Sequence, residues 1–149
     1  MNHKYLLGID IGTTGTKILL IDNAGGIIAE VNKTATLISL QSNWAEEDPL
    51  EWWENVCVGI PECLKLGNVD SANIVGIGVS GMVPTTILVD KNGKPLRRSI
   101  QQNDARSFIE IDEFKACVDE KDVFLRTGSA ITQQSIGPKL LWLSKNEPD

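Results

Sequence analysis

Residues 5 to 22 read YLLGIDIGTTGTKILLID, two short apolar runs parted by a stretch made almost wholly of glycine and threonine. Leu6, Leu7 and Ile9, and then Ile18 to Ile21, form runs too short for helices, and they suit strands buried on both faces. The turn between them is more constraining than the strands. Consecutive backbone N–H groups in a tight Gly and Thr turn make a concavity suited to phosphate oxygens, and threonine hydroxyls add donors. Gly12 and Gly15 let a backbone come close, Thr13 and Thr14 can donate, and Lys17 brings a positive charge. Asp10, just before the turn, is placed to hold a hydrated magnesium ion, which keeps waters and takes one or two carboxylates. The stretch matches neither GxxxxGK[ST] nor a strand-to-helix GxGxxG loop. The alternative is an ordinary hairpin whose Gly and Thr only satisfy turn geometry; Asp10, both glycines, the flanking strands and Lys17 together favour the phosphate loop.

Composition narrows the classes. With 149 residues and 42% hydrophobic content, the chain is sized for one globular domain with a core of its own. No apolar run approaches the roughly 18 residues of a membrane span. Asp10 interrupts the first apolar run and no small-residue cleavage site follows, which argues against a signal peptide and for a cytoplasmic protein. The net charge is −6 with scattered basic residues, so a nucleic-acid footprint is missing. Cys57, Cys63 and Cys117 show no CxxC spacing and are expected to be reduced core thiols. His3, the single histidine, precedes the first strand and is expected to be solvated.

The turn Asn23-Ala24-Gly25-Gly26 and a third strand from Ile27 to Ala35 predict an antiparallel three-strand meander. Asp48, Pro49 and Glu51 form a capping-box pattern worth about 1 kcal/mol for the cap. Leu50, Trp53, Cys57, Ile60 and Leu64 then fall at helical spacing, with a kink or break expected near Gly59 because of Pro61. IVGIGVSG, residues 74 to 81, reads as a buried strand and TTILVD, residues 85 to 90, as another, closed by the turn Lys91-Asn92-Gly93. Helices are predicted over Asp104 to Cys117 and Asp119 to Arg126, with Gly128 past the second. Gly137-Pro138 opens a last helix that Pro148 ends. The fold class is α/β, a mixed sheet with helices packed on it. Trp53 and Trp142 are assigned to packing, whereas Trp44 and Trp52 are left open.

DIGTTGTK between two buried strands resembles the first phosphate loop of the actin-like ATPase and sugar kinase superfamily, whose domains are ribonuclease H-like. WAEEDPLEWWENV, GIGVSGM, LVDKNGKPL, NDAR, and TGSA followed by GPKLLWL are similar, in order, to segments of the FGGY carbohydrate kinases. Members of that family are several times longer, with two actin-like domains and with ATP and sugar in the cleft between them. The resemblance implies that residues 1 to 149 are the front part of the first, sugar-binding-side domain, and that the second domain and the adenosine pocket lie outside this chain. It also implies ATP-dependent phosphorylation of a sugar or polyol hydroxyl, with a ketopentose such as xylulose as the leading substrate, and ATP and Mg2+ as cofactors. The family's general base is an Asp downstream of the matched region, so the chain alone is expected to be inactive. Asp10 would organise magnesium, and Gly12, Thr13, Thr14, Gly15 and Lys17 would receive the γ-phosphoryl group.

Substrate contacts are implied after GIGVSG, where this chain has Met82, Val83 and Pro84. Val83 and Pro84 have no side-chain donor, so they depart from the Gln-Met-His-Gly that xylulose kinases often carry; the plain alternative makes Met82 and Val83 core residues at a strand end. Asn103, Asp104 and Arg106 match the W-N-D-x-R pattern of those kinases, with Gln102 in place of the tryptophan. Asp104 would accept from sugar hydroxyls with Arg106 holding it; the plain alternative makes Asp104 a helix cap and Arg106 a solvated charge. Gln134 aligns with a substrate-contacting position of glycerol kinases, where an aromatic is usual; the plain alternative is a surface-loop glutamine. Sugar and ATP are the partners expected, with neither nucleic acid nor membrane, and uncovered apolar surface leaves a homodimer open. A non-catalytic sugar- or phosphate-binding module is the competing reading; an actin-like or chaperone ATPase shares the loop but gives no reason for the WAEEDPLEWWE and NDAR segments.

Overall fold

The computed structural model describes residues 4 to 148, so His3 lies outside the described residues. In chain order the elements are β1 (Tyr5–Gly12), β2 (Gly15–Asp22), β3 (Ile27–Thr34), β4 (Glu46–Glu47), α1 (Pro49–Leu66), β5 (Ile74–Gly81), β6 (Ser99–Ile100), α2 (Phe108–Ala116), α3 (Glu120–Thr127) and α4 (Ile136–Asn146). They fall into two compact units, one formed by the residues up to Leu37 with Asp48–Met82, the other by Ile38–Glu47 with the residues from Val83 onward. No helix among the described residues is long and apolar enough to cross a membrane.

The first unit is a mixed sheet in the order β3-β2-β1-β5. The predicted meander forms, with β1–β2 and β2–β3 antiparallel and β5 parallel to β1. Successive residues on a strand face opposite sides. Leu7, Ile18, Leu20, Ala29 and Val31 therefore lie on one face, where they pack with Cys63 of α1. Burial pushes the Cys63 thiol above its usual pKa, and its Sγ lies 3.7 Å from the Ile18 carbonyl oxygen.

Helix α1 corrects three expectations. Its buried residues are Trp52, Gly59 and Cys63, whereas Leu50 and Trp53 of the expected stripe are exposed. The reason is Gly59: a Cβ there would come within 2.3 Å of Ile18 Cδ1, so the bare backbone lets the helix settle directly on β2 and sets which face turns inward. The helix also runs unbroken through Pro61. The capping box forms only in half. Asp48 accepts from the Leu50 N–H at 2.9 Å, but Glu51 accepts from Thr36, from its N–H at 2.9 Å and its Oγ1 at 3.0 Å, which ties α1 to the chain leaving β3.

Other expectations shift as well. IVGIGVSG is a strand but not a buried one, since β5 is the edge of its sheet and Val75, Ile77 and Val79 are 57%, 60% and 70% exposed. TTILVD forms only isolated bridges, Thr86 to Ile100 and Val89 to Pro95. The Lys91-Asn92-Gly93 turn forms with Gly93 at φ 80°, and the Asp90 carboxylate, accepting from the N–H groups of Lys94 and Asn92, is held below the usual range. Cys57 and Cys117 are exposed.

In the second unit β4 pairs antiparallel with β6, and α2 packs on α4. Helix α2 begins at Phe108 rather than Asp104, because Asp104 is drawn into the buried interactions described below. Helix α3 is shifted one residue from the expected span: Asp119 caps it instead of opening it, accepting from the N–H groups of Lys121 and Asp122, and Gly128 closes it as expected, in the left-handed conformation at φ 72°.

Filling the Gly59 notch tests this packing. Gly59→Val should lower unfolding free energy by about 1–3 kcal/mol through overpacking against Ile18, read as a lower urea midpoint with an unchanged slope.

Candidate functional site

The bend between β1 and β2 is the two residues Thr13 and Thr14, flanked by the pair Gly12 and Gly15. A Cβ at Gly15 would lie 2.1 Å from the Lys33 carbonyl oxygen, so β3 can approach only a glycine there. Thr14 is exposed and Thr13 half-buried, and the amide N–H groups of both lack an acceptor among the described residues. The turn is thus open to solvent with donors available.

Strand register builds the surface beside it. Asp10 on β1 pairs with Lys17 on β2, Lys17 with Asn32 on β3, and Asp10 with Ser80 on β5. In-register neighbours share a sheet face, so Ser80, Asp10, Lys17 and Asn32 form a polar row across all four strands, on the side away from α1. A cavity of about 350 Å³ opens there, lined by Asp10, Gly12, Thr14, Lys17 and Asn32 among others. Glu30 organises its far end, accepting from Asn32 Nδ2 at 2.9 Å and pairing with Lys17 Nζ at 3.3 Å. The Asn32 hydrogen bond and then Lys17 hold the Glu30 carboxyl below its ordinary pKa.

The second unit contains a buried charge cluster. Asp104 accepts from the Ala45 N–H at 2.6 Å and from Arg106 through its backbone N–H, Nε and Nη2 at 3.0, 2.9 and 2.8 Å. Arg106 Nη2 also reaches Glu46 Oε1 at 2.8 Å, and Glu46 pairs with Arg97 as well. The guanidinium lies 3.8 Å from the Trp44 ring centre and 5.0 Å from that of Trp142, and the two indoles meet edge to face at 5.4 Å. Burial pulls the Arg106 pKa down, but the Asp104 and Glu46 carboxylates outweigh it and hold the group above its usual value. Lys139 is fully buried and donates to the Gln101 carbonyl at 2.6 Å; burial lowers its pKa, against the pull of Asp104.

A profile of the FGGY family of carbohydrate kinases, N-terminal domain, matches residues 5–149. The chain belongs to the FGGY family of carbohydrate kinases. This FGGY chain is 32% identical, over its whole length, to a xylulose kinase of Staphylococcus epidermidis, 29% of which it covers. It is 31% identical over 96% of its length to glycerol kinase 2 of Thermotoga maritima, again covering 29%. Among solved structures it superposes on a xylulose kinase from Rhodospirillum rubrum with a TM-score of 0.91 at 37% identity, over 97% of this chain and 30% of that one. It superposes on Plasmodium falciparum glycerol kinase with ADP at a TM-score of 0.86 and 28% identity, over 98% and 29%. The fold is therefore the actin-like α/β fold of these kinases, and the chain spans about 29% of the length of the curated relatives it matches.

Within the FGGY chain, the structure brings Asp10, Gly12, Thr14, Gly15 and Lys17 to one cavity. Met82 follows β5, with its N–H on the Ile11 carbonyl at 3.0 Å. In the second unit Val83 is 78% exposed, which excludes a core role, and Pro84 is half-buried. Asn103 and Gln134 are exposed. Asp104 and Arg106 are buried, and the NDAR and WAEEDP segments, some 60 residues apart, meet through them. The matched segments contain Ser80, Glu46 and Lys139 without marking them as site residues, and Asn32 lies outside every one of them. Counting the hairpin register outward from Gly12 and Gly15 finds Asn32 opposite Lys17, whereas the pairing of Ser80 with Asp10 needs the tertiary fold.

Breaking the cluster tests its weight. Asp104→Ala leaves Arg106 buried with an incomplete set of carboxylate partners and should cost about 3–5 kcal/mol, measured by chemical unfolding, whereas Arg126→Ala at an exposed helix pair should cost under about 0.5 kcal/mol.

Proposed function

We propose that the full-length protein transfers the γ-phosphoryl group of ATP to a hydroxyl of a sugar or polyol, with a ketopentose such as xylulose as the leading substrate. The observation that carries this reading is the solvent-open Thr13-Thr14 turn with unbonded amides, set against the in-register Asp10–Lys17 pair. Likeness to a xylulose kinase favours the ketopentose, and likeness to a glycerol kinase makes glycerol the competitor to test against it. This chain would be the front part of the first actin-like domain, inactive alone, with the general base, second phosphate loop and adenosine pocket carried by the rest of the protein.

Chemically, the acceptor hydroxyl oxygen attacks the γ-phosphorus, the bond to the β–γ bridging oxygen breaks, ADP leaves, and the hydroxyl proton passes to a carboxylate base. Catalysis of such a loose transfer is mostly positioning and electrostatics. The amides of Thr13 and Thr14 bind phosphate oxygens, and Lys17 supplies positive charge while Glu30 fixes its position at rest. Among the described residues no group of three or more His, Cys, Asp or Glu could cage a metal. One exposed carboxylate beside a phosphate-sized opening instead fits magnesium, which keeps its waters and takes one or two carboxylates. Asp10 would hold that ion, whose chemistry is to offset phosphate charge.

On the second unit, Asn103 and Gln134, both exposed, are the sugar-side candidates with Val83 and Pro84, and Met82 stands at the end of β5. Asp104 and Arg106 would act on substrate through the loop they hold.

Assaying sugar-dependent ADP release by the full-length protein over ketopentoses, glycerol, other polyols and aldonic acids tests the reading; turnover with none of them would remove it. Asp10→Asn should lower kcat by at least about a hundredfold while leaving the melting temperature unchanged.

A further inference from the structure

Ser80 is the penultimate residue of the strand segment IVGIGVSG, and nothing in that segment as a sequence sets it apart from a solvated strand end. The parallel pairing of β5 with β1 does: Ser80 is the register partner of Asp10. Adjacent strands lie about 4.8 Å apart and in-register residues share a face, so the hydroxyl and the carboxylate stand side by side. Ser80, Asp10 and Lys17 together line a second groove of about 340 Å³ whose floor is the paired glycines Gly8 and Gly78. A Cβ at Gly78 would meet nothing within 4 Å, and one at Gly8 only Leu19 at 3.8 Å. The groove is therefore open above its floor, and Ser80 is exposed beside it, its hydroxyl without a hydrogen-bond partner among the described residues.

We propose that Ser80 helps Asp10 hold the hydrated divalent cation, not as a ligand but as an acceptor: its hydroxyl oxygen would take a hydrogen bond from a cation-bound water. The inference rests on the phosphoryl-transfer reading of Asp10. Its chemistry follows from the donor set. A lone carboxylate leaves most of the water shell of a small dication without oriented acceptors, and a neutral hydroxyl adds one acceptor without adding charge that would repel the phosphates. Lys17, on the opposite side of Asp10, is a cation and cannot do this. Three residues in adjacent register thereby divide the work, Ser80 facing the water shell, Asp10 the ion and Lys17 the phosphate oxygens.

The test uses the full-length protein and Ser80→Ala, a change at an exposed position that leaves the sheet pairing intact. The Mg2+ concentration for half-maximal ADP release should rise about tenfold, the usual scale for losing a partner that orients a metal's ligands, with KM for the sugar unchanged. Titration calorimetry supplies a reading apart from turnover: affinity for ADP should fall by the same factor with Mg2+ present and stay the same when EDTA removes it. Ser80→Thr, which keeps the hydroxyl and suits a strand, should restore both. Unchanged Mg2+ dependence in Ser80→Ala, or a change confined to KM for sugar, overturns the proposal. Asp10→Asn run alongside separates the two layers. Lost transfer there with an unaffected Ser80→Ala removes the serine inference alone, while retained transfer in Asp10→Asn removes the phosphate-loop reading and this inference with it.

Discussion

The pairing of β1 with both of its neighbours is the constraint on which the first unit depends. Strand β1 lies between antiparallel β2 and parallel β5, and its register with each decides which residues face α1 and which face the opening beside the turn. A slip of one residue would exchange the two faces, sending Asp10 under the helix and Leu7 and Ile9 into water. Burial of Leu7, Ile18, Leu20 and Val31 opposes that slip. The apolar core on one side of the sheet therefore holds the polar row on the other, and the chemistry of the open face is fixed by packing on the closed one.

A different device holds the second unit. Its core includes Ile100, Ile131 and Leu143, but also Asp104, Arg106, Gln101 and Lys139, all nearly or fully buried. Charges out of water are costly unless they meet opposite charge and complete hydrogen bonding. Arg106 meets two carboxylates and two indole rings, and Asp104 uses both of its oxygens. Such geometry admits few alternatives, so it pins the turn from Gln101 to Asp104 at both ends and leaves Asn103 displayed at its tip.

The local parts of this structure were legible in the sequence. The hairpin, the third strand, the Asp48 cap, the Gly128 terminus and the last helix all follow from neighbouring residues, and each stands as expected. What eluded the sequence is decided at a distance. The inward face of α1 depends on a glycine fitting under Ile18: of the expected stripe Ile60 and Leu64 do pack on the core, while Leu50, Trp53 and Cys57 face outward. TTILVD has the composition of a strand but finds partners at only two points. Asp104 and Arg106 stood out by motif, yet their burial could not be seen without Trp44 and Glu46, which arrive from another part of the chain. The open Gly12–Gly15 turn was legible because its signal is contiguous; the row from Ser80 to Asn32 was not, because it exists only once four strands align.

Strand β5 carries a further consequence. It ends its sheet, and Val75, Ile77 and Val79 stand largely in water along a backbone edge with one side unpaired. A bare, branched-apolar edge of this kind is a template on which other strands can add. As concentration rises, further strands would tend to add along β5, the edge that the described residues leave unpaired.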